Sequence, residues 1–294
     1  MTRPDSSNQR RSNRPGSSNR PASTGRTTPP KTPDTSKAAS GSGGAKSSAP
    51  SGTTRPEPAR AKELPAAVIT RGLTKRYGDA DALAPLDLRI EDGQRVTLIG
   101  HNGSGKTTLL RMLTGMLEPS DGSATIAGHA LASIEARAAV SYLSDQPVFY
   151  DDLSVWEHLE YIARLHETDG WEQQAVDLVE MVGLTPRVDD LPTTFSRGLK
   201  QKAAIAMAFV RPFDVMLVDE PFVGLDRTGR DALLELFTLA HADGATLIVA
   251  THELSTVKTS DRLLALNGGH LSYDGSPDTA DVVMLTEGIP AGEE

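Results

Sequence analysis

Gly100-His101-Asn102-Gly103-Ser104-Gly105-Lys106-Thr107 stands directly after the apolar run Val96 to Ile99 and ahead of a segment whose leucines recur at helical spacing. That order reads as strand, glycine-rich loop and helix. With no Cβ at 100, 103 and 105, the backbone is free to curl so that successive N–H groups converge on an anion, the β-phosphate of a nucleotide. Lys106 then reaches the β/γ oxygens and the Thr107 hydroxyl completes the shell of a Mg²⁺ ion. His101, Asn102, Ser104 and Thr108 fill out the candidate nucleotide-binding run. The helix that opens at Lys106 adds its N-terminal dipole to the same anion.

Before this loop, Val68, Ile69, Leu73 and Tyr77 suggest an antiparallel edge sheet, and Leu86, Leu88 and Ile90 alternate with Asp87 and Arg89. Glu91-Asp92-Gly93 reads as a hairpin turn into the central strand. After it, Leu109, Leu110, Leu113 and Met116 form a buried helical stripe, bracketed by Gly115 and Pro119. Short strands at Ala124 to Ile126 and Val140 to Leu143 continue the nucleotide-binding core. Ser154 with Glu157 is a capping box ahead of Val155, Leu159, Ile162 and Leu165, and a second helix runs from Trp171 to Val182. Residues 148–198, approximately, therefore read as an inserted helical subdomain. The alternation then resumes: helix Lys200 to Val210, strand Val215 to Val218, helix Gly229 to Ala242, strand Ala245 to Ala250, and a final pair, Leu263 to Leu266 with Leu271 to Tyr273. Strands separated by helices imply an α/β fold, a mainly parallel sheet covered on both faces.

The first 63 of the 294 residues carry 12 Lys/Arg against 4 Asp/Glu, whereas the remaining 231 carry 18 against 35. A basic, Ser/Pro/Thr-rich disordered tail (1–63) is expected ahead of an acidic globular body (64–275) and a short C-terminal extension (276–294). The tail lacks the apolar core of a secretory signal. Its charge suits anionic lipid headgroups or nucleic acid, and equally a purely solubilising leader. No stretch approaches the ~18 consecutive apolar residues of a membrane span. The absence of cysteine excludes disulfides and thiolate chemistry and fits a cytosolic enzyme.

Val215-Met216-Leu217-Val218-Asp219-Glu220 is an apolar strand that delivers two carboxylates to the edge of the sheet beside the glycine-rich loop. Asp219 is placed to hold Mg²⁺ and Glu220 to polarise the water that attacks the γ-phosphate. His252, just past the strand ending at Ala250, is placed to contact the γ-phosphate. Gln146, past the strand ending at Leu143, has an amide suited to switch between metal, attacking water and the inserted helices. Ser196 and Gly198 sit at the start of the helix through Ile205, where a hydroxyl, free N–H groups and the helix dipole favour an anion.

The loop, Gln146, Phe195-Ser196-Arg197-Gly198-Leu199-Lys200-Gln201, Asp219-Glu220-Pro221, Gly224-Leu225-Asp226 and His252 occur in the order and spacing of ABC-type ATPase domains, and residues 67–275 resemble that family throughout. The resemblance implies a P-loop NTPase fold with an antiparallel β edge subdomain and an inserted helical subdomain. It implies that Tyr77 stacks on adenine, that Lys106 and Thr107 hold phosphate and Mg²⁺, that Gln146 reports the state of the site, and that Asp219, Glu220 and His252 are metal ligand, base and switch. Ser196 and Gly198 match the signature segment that meets ATP bound by the opposite subunit, and Asp226 lies where the family crosses the dimer interface.

Its cofactors would be ATP and Mg²⁺. Its partners would be a second copy or a related ATPase, and integral-membrane permease subunits reached at the cytoplasmic face of the membrane. The segment departs from the commoner Leu-Ser-Gly-Gly-Gln at three positions, and Arg197 resembles the forms that serve ABC-2 exporters. Phe222-Val223 departs too, standing where a small hydroxyl residue is frequent. Phe149, Tyr150 and Trp156 would offer a groove to a permease helix or else belong to the subdomain core. The alternative is a non-transport ABC ATPase acting on nucleic acid, ribosomes or an assembly scaffold. The single cassette and the lack of coiled-coil insertions count against it, so no nucleic acid is expected.

Overall fold

In the computed structural model, residues 66–251 and 253–287 are described, all within one compact unit, Arg60–Glu294. The expected tail, His252 and the last seven residues lie outside the described residues. Two sheets organise the chain. In the first, the long hairpin of β1 (Ala66–Tyr77) and β2 (Ala80–Glu91) pairs antiparallel from Ala66↔Glu91 to Tyr77↔Ala80. Of the second sheet, β3 (Arg95–Ile99) comes next in the chain and leads through the glycine-rich loop into α1 (Lys106–Leu113). β4 (Asp121–Ile126) and β5 (His129–Ala130) then return to the first sheet, whose order is β2-β1-β4-β5.

α2 (Ile134–Ala139) precedes β6 (Val140–Leu143), after which α3 (Val155–Leu165), α4 (Trp171–Met181) and two short 3-10 turns intervene before α5 (Arg197–Phe209). Then follow β7 (Val215–Asp219), α6 (Arg227–Ala242), β8 (Thr246–Ala250), α7 (Leu254–Thr259), β9 (Arg262–Asn267), β10 (His270–Gly275) and α8 (Val282–Glu287). The second sheet runs β10-β9-β3-β8-β7-β6, parallel except for β10. Its central strands are apolar at nearly every position because both faces are covered, and all five residues of β7 and of β8 are buried.

One core packs α1 between the two sheets around Leu98, Leu110 and Ile126; the other packs α3 to α6 on the opposite face around Phe209, Phe237 and Val249. Burying Leu109, Leu110, Met112 and Leu113, worth about 2 kcal/mol each, anchors α1 and with it the loop at its N-terminus. Ser154 accepts from the Glu157 N–H at 3.2 Å while Glu157 accepts from the Ser154 N–H at 2.8 Å, which is the capping box expected for α3.

Four details differ from the sequence reading. Glu91-Asp92-Gly93 does turn, with the Gln94 N–H donating to the Glu91 carbonyl at 3.2 Å, but β2 and β3 go to different sheets, so it closes no hairpin. Ala124 to Ile126 joins the antiparallel sheet rather than the nucleotide-binding one, because Val68 to Arg71 pair with it. Met116 lies beyond α1 and is 72% exposed, since the chain leaves the helix at Gly115. Leu165, at the end of α3, is also exposed. Past β10, Leu285 of α8 is buried against Ile99, Val257, Leu263 and Ala265.

Candidate active site

The parallel strands deliver their carboxyl ends to one edge, where the glycine-rich loop lies. Gly100 has φ +147°, and a Cβ there would run into the Leu266 carbonyl and Ser104 Oγ, so only glycine lets the loop close against β9. The turn between β9 and β10 braces it from outside: the Gly269 N–H donates to the Ser104 carbonyl at 3.1 Å, and His101 Nε2 lies 3.0 Å from Asn267 Oδ1. Ala82 of β2 backs onto Gly105, and the Ala84 N–H donates to the Gly269 carbonyl at 2.9 Å. The antiparallel sheet therefore presses on the loop, with Tyr77 at the near end of its hairpin, 57% exposed and with Lys75 Nζ 5.2 Å from its ring centre.

Lys106 is buried and its ammonium donates to the Gly100 carbonyl at 2.7 Å and the His101 carbonyl at 3.4 Å, inside the curl of the loop. Its third neighbour is Glu220 Oε1 at 3.8 Å. β3 and β7 thus bring together the lysine and the carboxylate that the sequence placed 114 positions apart. Glu220 has φ +45°, a left-handed conformation that costs a bulky side chain on the order of 1 kcal/mol and is held by its N–H donating to the Ala250 carbonyl at 2.8 Å.

Asp219 is 1% exposed and neither of its carboxylate oxygens has a hydrogen-bond partner. Burial raises its pKa and the neighbouring Asp145 charge adds to the rise, while Thr107, Lys106 and Arg111 pull it down. A buried carboxylate without partners is costly unless a cation joins it. Thr107 and Asp219 make an oxygen donor set of the hard kind that suits Mg²⁺. Ser104 Oγ is a second buried oxygen without a partner in the loop itself.

The other candidate residues collect elsewhere. Ser196 caps α5, accepting from the Leu199 N–H at 3.4 Å, and remains exposed. Gly198 packs so tightly that a Cβ would stand 2.5 Å from the Gly224 carbonyl, which locks the start of α5 to the turn before Asp226. Asp226 caps α6 through the Gly229 N–H at 2.8 Å and pairs with buried Lys202 at 2.8 Å. Gln146 is exposed, with its amide 3.3 Å from Asp145, and shares a cleft with Phe195 and Arg197. Among the described residues, no hydrogen bond or ion pair joins Ser196 or Gly198 to the glycine-rich loop. His252 lies outside the described residues.

Three supports escaped the sequence. Lys202 is 24 positions from Asp226, beyond any local pattern, and Asn267-Gly268-Gly269 is visible as a turn but gives no sign that it holds the phosphate loop. Arg230 is a third case: it lies over the Phe222 ring at 5.3 Å and pairs with Glu253 at 2.6 Å, joining the residues after Glu220 to those after Thr251. The aromatic alternatives resolve individually. Trp156 packs on Trp171 at 5.4 Å in the helical core, Phe149 is half-buried at the edge of a groove, and Tyr150 is exposed.

The family model described as ABC transporter matches residues 83–223. The ABC transporter ATP-binding protein YdbJ of Bacillus subtilis is 34% identical over 222 residues, 73% of this chain and 72% of that protein. The "Probable multidrug ABC transporter ATP-binding protein YbhF" of Escherichia coli is 36% identical over 225 residues, 74% of this chain but 39% of that protein. A solved ATP binding subunit of an ABC transporter superposes with a TM-score of 0.68 at 30% identity, over 76% of this chain and 95% of that one.

Proposed function

The chain belongs to the ABC transporter family and is an ATP-binding, ATP-hydrolysing cassette, and we propose that it powers a separate membrane permease, in the export direction, from the cytoplasmic face of the membrane. The observation that carries the chemistry is the pairing at one sheet edge of Lys106, clasped by the loop carbonyls, with Glu220 at 3.8 Å and the bare buried carboxylate of Asp219. Lys106 binds the β- and γ-phosphates, the loop N–H groups orient them, and Tyr77 stacks on the base. Glu220, fixed in its strained turn, orients the attacking water and accepts its proton. Thr107, Asp219 and Gln146 are the residues that would hold Mg²⁺, which neutralises phosphate charge when bound. His252 is assigned the γ-phosphate contact.

Ser196 and the N–H groups around Gly198 present an anion site that, among the described residues, has no hydrogen bond or ion pair to the loop of its own chain. A second copy, or a related cassette, is therefore the partner whose ATP they meet, and ATP closes the pair while hydrolysis releases it. Gln146 lines both the cleft it shares with the Phe195 segment and the groove floored by β6 and α5, which supports a reading in which movement there reaches a docked permease segment. Among the described residues no helix is long and apolar enough to cross a membrane, which fits work through a partner. Arg197 and the multidrug designation of the similar E. coli protein support export. Reconstitution with the polytopic proteins that co-purify tests this: ATP-dependent extrusion from cells or uptake into inside-out vesicles is expected, and co-purification with RNA or DNA instead would overturn it.

A further inference from the structure

Arg230 stands in the first turn of α6 and belongs neither to the phosphate loop nor to the metal donors, yet its guanidinium spans two segments that follow strands β7 and β8. On one side it lies over the Phe222 ring at 5.3 Å, in the turn after Glu220; on the other it pairs with Glu253 Oε1 at 2.6 Å. Phe222 is 5% exposed and belongs to the core on the α3 to α6 face, so its ring is a fixed surface. Glu253 is tied inward. Its N–H donates to the Thr251 hydroxyl at 3.1 Å, and the Thr251 N–H donates at 3.1 Å to the carbonyl of Leu98 in β3. β3 is the strand that runs into the glycine-rich loop and Lys106.

Glu220 needs such support. Its φ of +45° is left-handed, a conformation that persists in a non-glycine residue only where the surrounding structure holds it. We infer that Arg230 is a positioning residue for hydrolysis: lying between Phe222 and Glu253, it closes a link from the turn after Glu220 to the strand that carries the phosphate loop, and so keeps the Glu220 carboxylate beside Lys106. This rests on Glu220 as the base of the proposed function. It also gives a role to Phe222, which stands where a small hydroxyl residue is frequent, because a small hydroxyl side chain has no face for a guanidinium to lie on. The Arg230 and Glu253 side chains are 37% and 33% exposed, so their pairing adds little to stability. What it fixes is geometry, and a misplacement of about 1 Å originating far from the chemistry costs up to about 100-fold in rate.

The test is steady-state hydrolysis of ATP with Mg²⁺ by the full chain and its variants, with thermal melting of each. Arg230→Ala should lower kcat about tenfold, leave the KM for ATP within about twofold, and shift the melting temperature by no more than about 3 °C. Glu253→Ala should do the same, and the double variant Arg230→Ala/Glu253→Ala should be no slower than the slower single one, because both remove one link. Arg230→Lys, which keeps the charge opposite Glu253, should recover part of the rate. Phe222→Leu, apolar but without an aromatic face, should slow the wild type and add nothing to Arg230→Ala. Wild-type kcat in Arg230→Ala, or losses that multiply to about 100-fold in the double variant, would overturn the inference. A rate loss that Arg230→Lys does not relieve and that accompanies a collapse of the melting temperature would make Arg230 a structural residue only, which also overturns it. Glu220→Gln is assayed alongside. Wild-type turnover there would remove the base and the inference with it, whereas slow Glu220→Gln beside unaffected Arg230→Ala would remove the inference alone.

Discussion

Asp219 and Glu220 are adjacent in the chain but differ in environment: one carboxylate is buried, with Thr107, Asp145, Lys106 and Arg111 as its polar neighbours, and the other is partly exposed and faces the Lys106 ammonium at 3.8 Å. An acid whose pKa is raised on folding binds its proton more tightly in the folded state. Stability therefore falls as pH climbs from the ordinary carboxylate range through the raised value, and the deficit persists at neutral pH. Asp219→Asn removes that deficit. It should raise the melting temperature of the nucleotide-free chain, by about 1–3 kcal/mol in stability, while abolishing Mg²⁺-dependent hydrolysis; an unchanged or lower melting temperature at pH 7, or a gain that does not shrink on acidification, would refute this. Lys106→Ala should lose the rise in melting temperature that millimolar ATP gives the wild type, because the ligand then no longer discriminates the folded state. Lys106, Thr107 and Asp219 were legible because each sits inside a contiguous motif whose backbone geometry is local. Lys202 and Arg230 were not, since their partners come from other elements.

At the scale of elements, the Lys202–Asp226 pair ties the helix that begins at Ser196 to the helix that begins after the Gly224 turn. Hydrogen bonding from Lys202 first, and from the Gly229 N–H second, lowers the Asp226 pKa. Its contribution is therefore full above the ordinary carboxylate pKa and is lost as pH falls through the lowered value. Asp226→Ala deletes a cap and leaves a buried ammonium, so a loss of about 1–3 kcal/mol is expected in urea unfolding. Asp226→Asn, which keeps an acceptor for Gly229, should lose less; equal losses would mean that the cap contributes nothing. Strands and long helices could be read from the sequence by their periodicity, and the capping box at Ser154 by its two residues. The partner sheet of a strand could not. β2 and β3 are separated by three residues and joined by a turn that reads as a hairpin, but β3 is claimed by β8 and β9, whose apolar faces become available only when the chain returns about 150 residues later. Met116 continued the spacing of α1 because periodicity does not register the left-handed exit at Gly115.

At the scale of the whole molecule, the proposed function has each chain contribute two half-sites for ATP: the phosphate cradle with its acid pair at one sheet edge, and the exposed helix end at Ser196, which makes no hydrogen bond to that cradle among the described residues. The second of these rests on the family resemblance; what the structure adds is the close packing of Gly198 on the Gly224 carbonyl, which fixes the start of α5 against the turn before Asp226. Glu220→Gln should bind ATP with Lys106 intact, hydrolyse it at least about 100-fold more slowly, and thereby hold the closed state. Sedimentation velocity of Glu220→Gln with Mg²⁺ and ATP is the most direct test. The expected result is a shift from a 31.3 kDa monomer to a species of twice that mass, which Ser196→Arg added to the same chain abolishes. A chain that retains ATP, shown by the nucleotide sedimenting with it, yet remains monomeric would contradict the account.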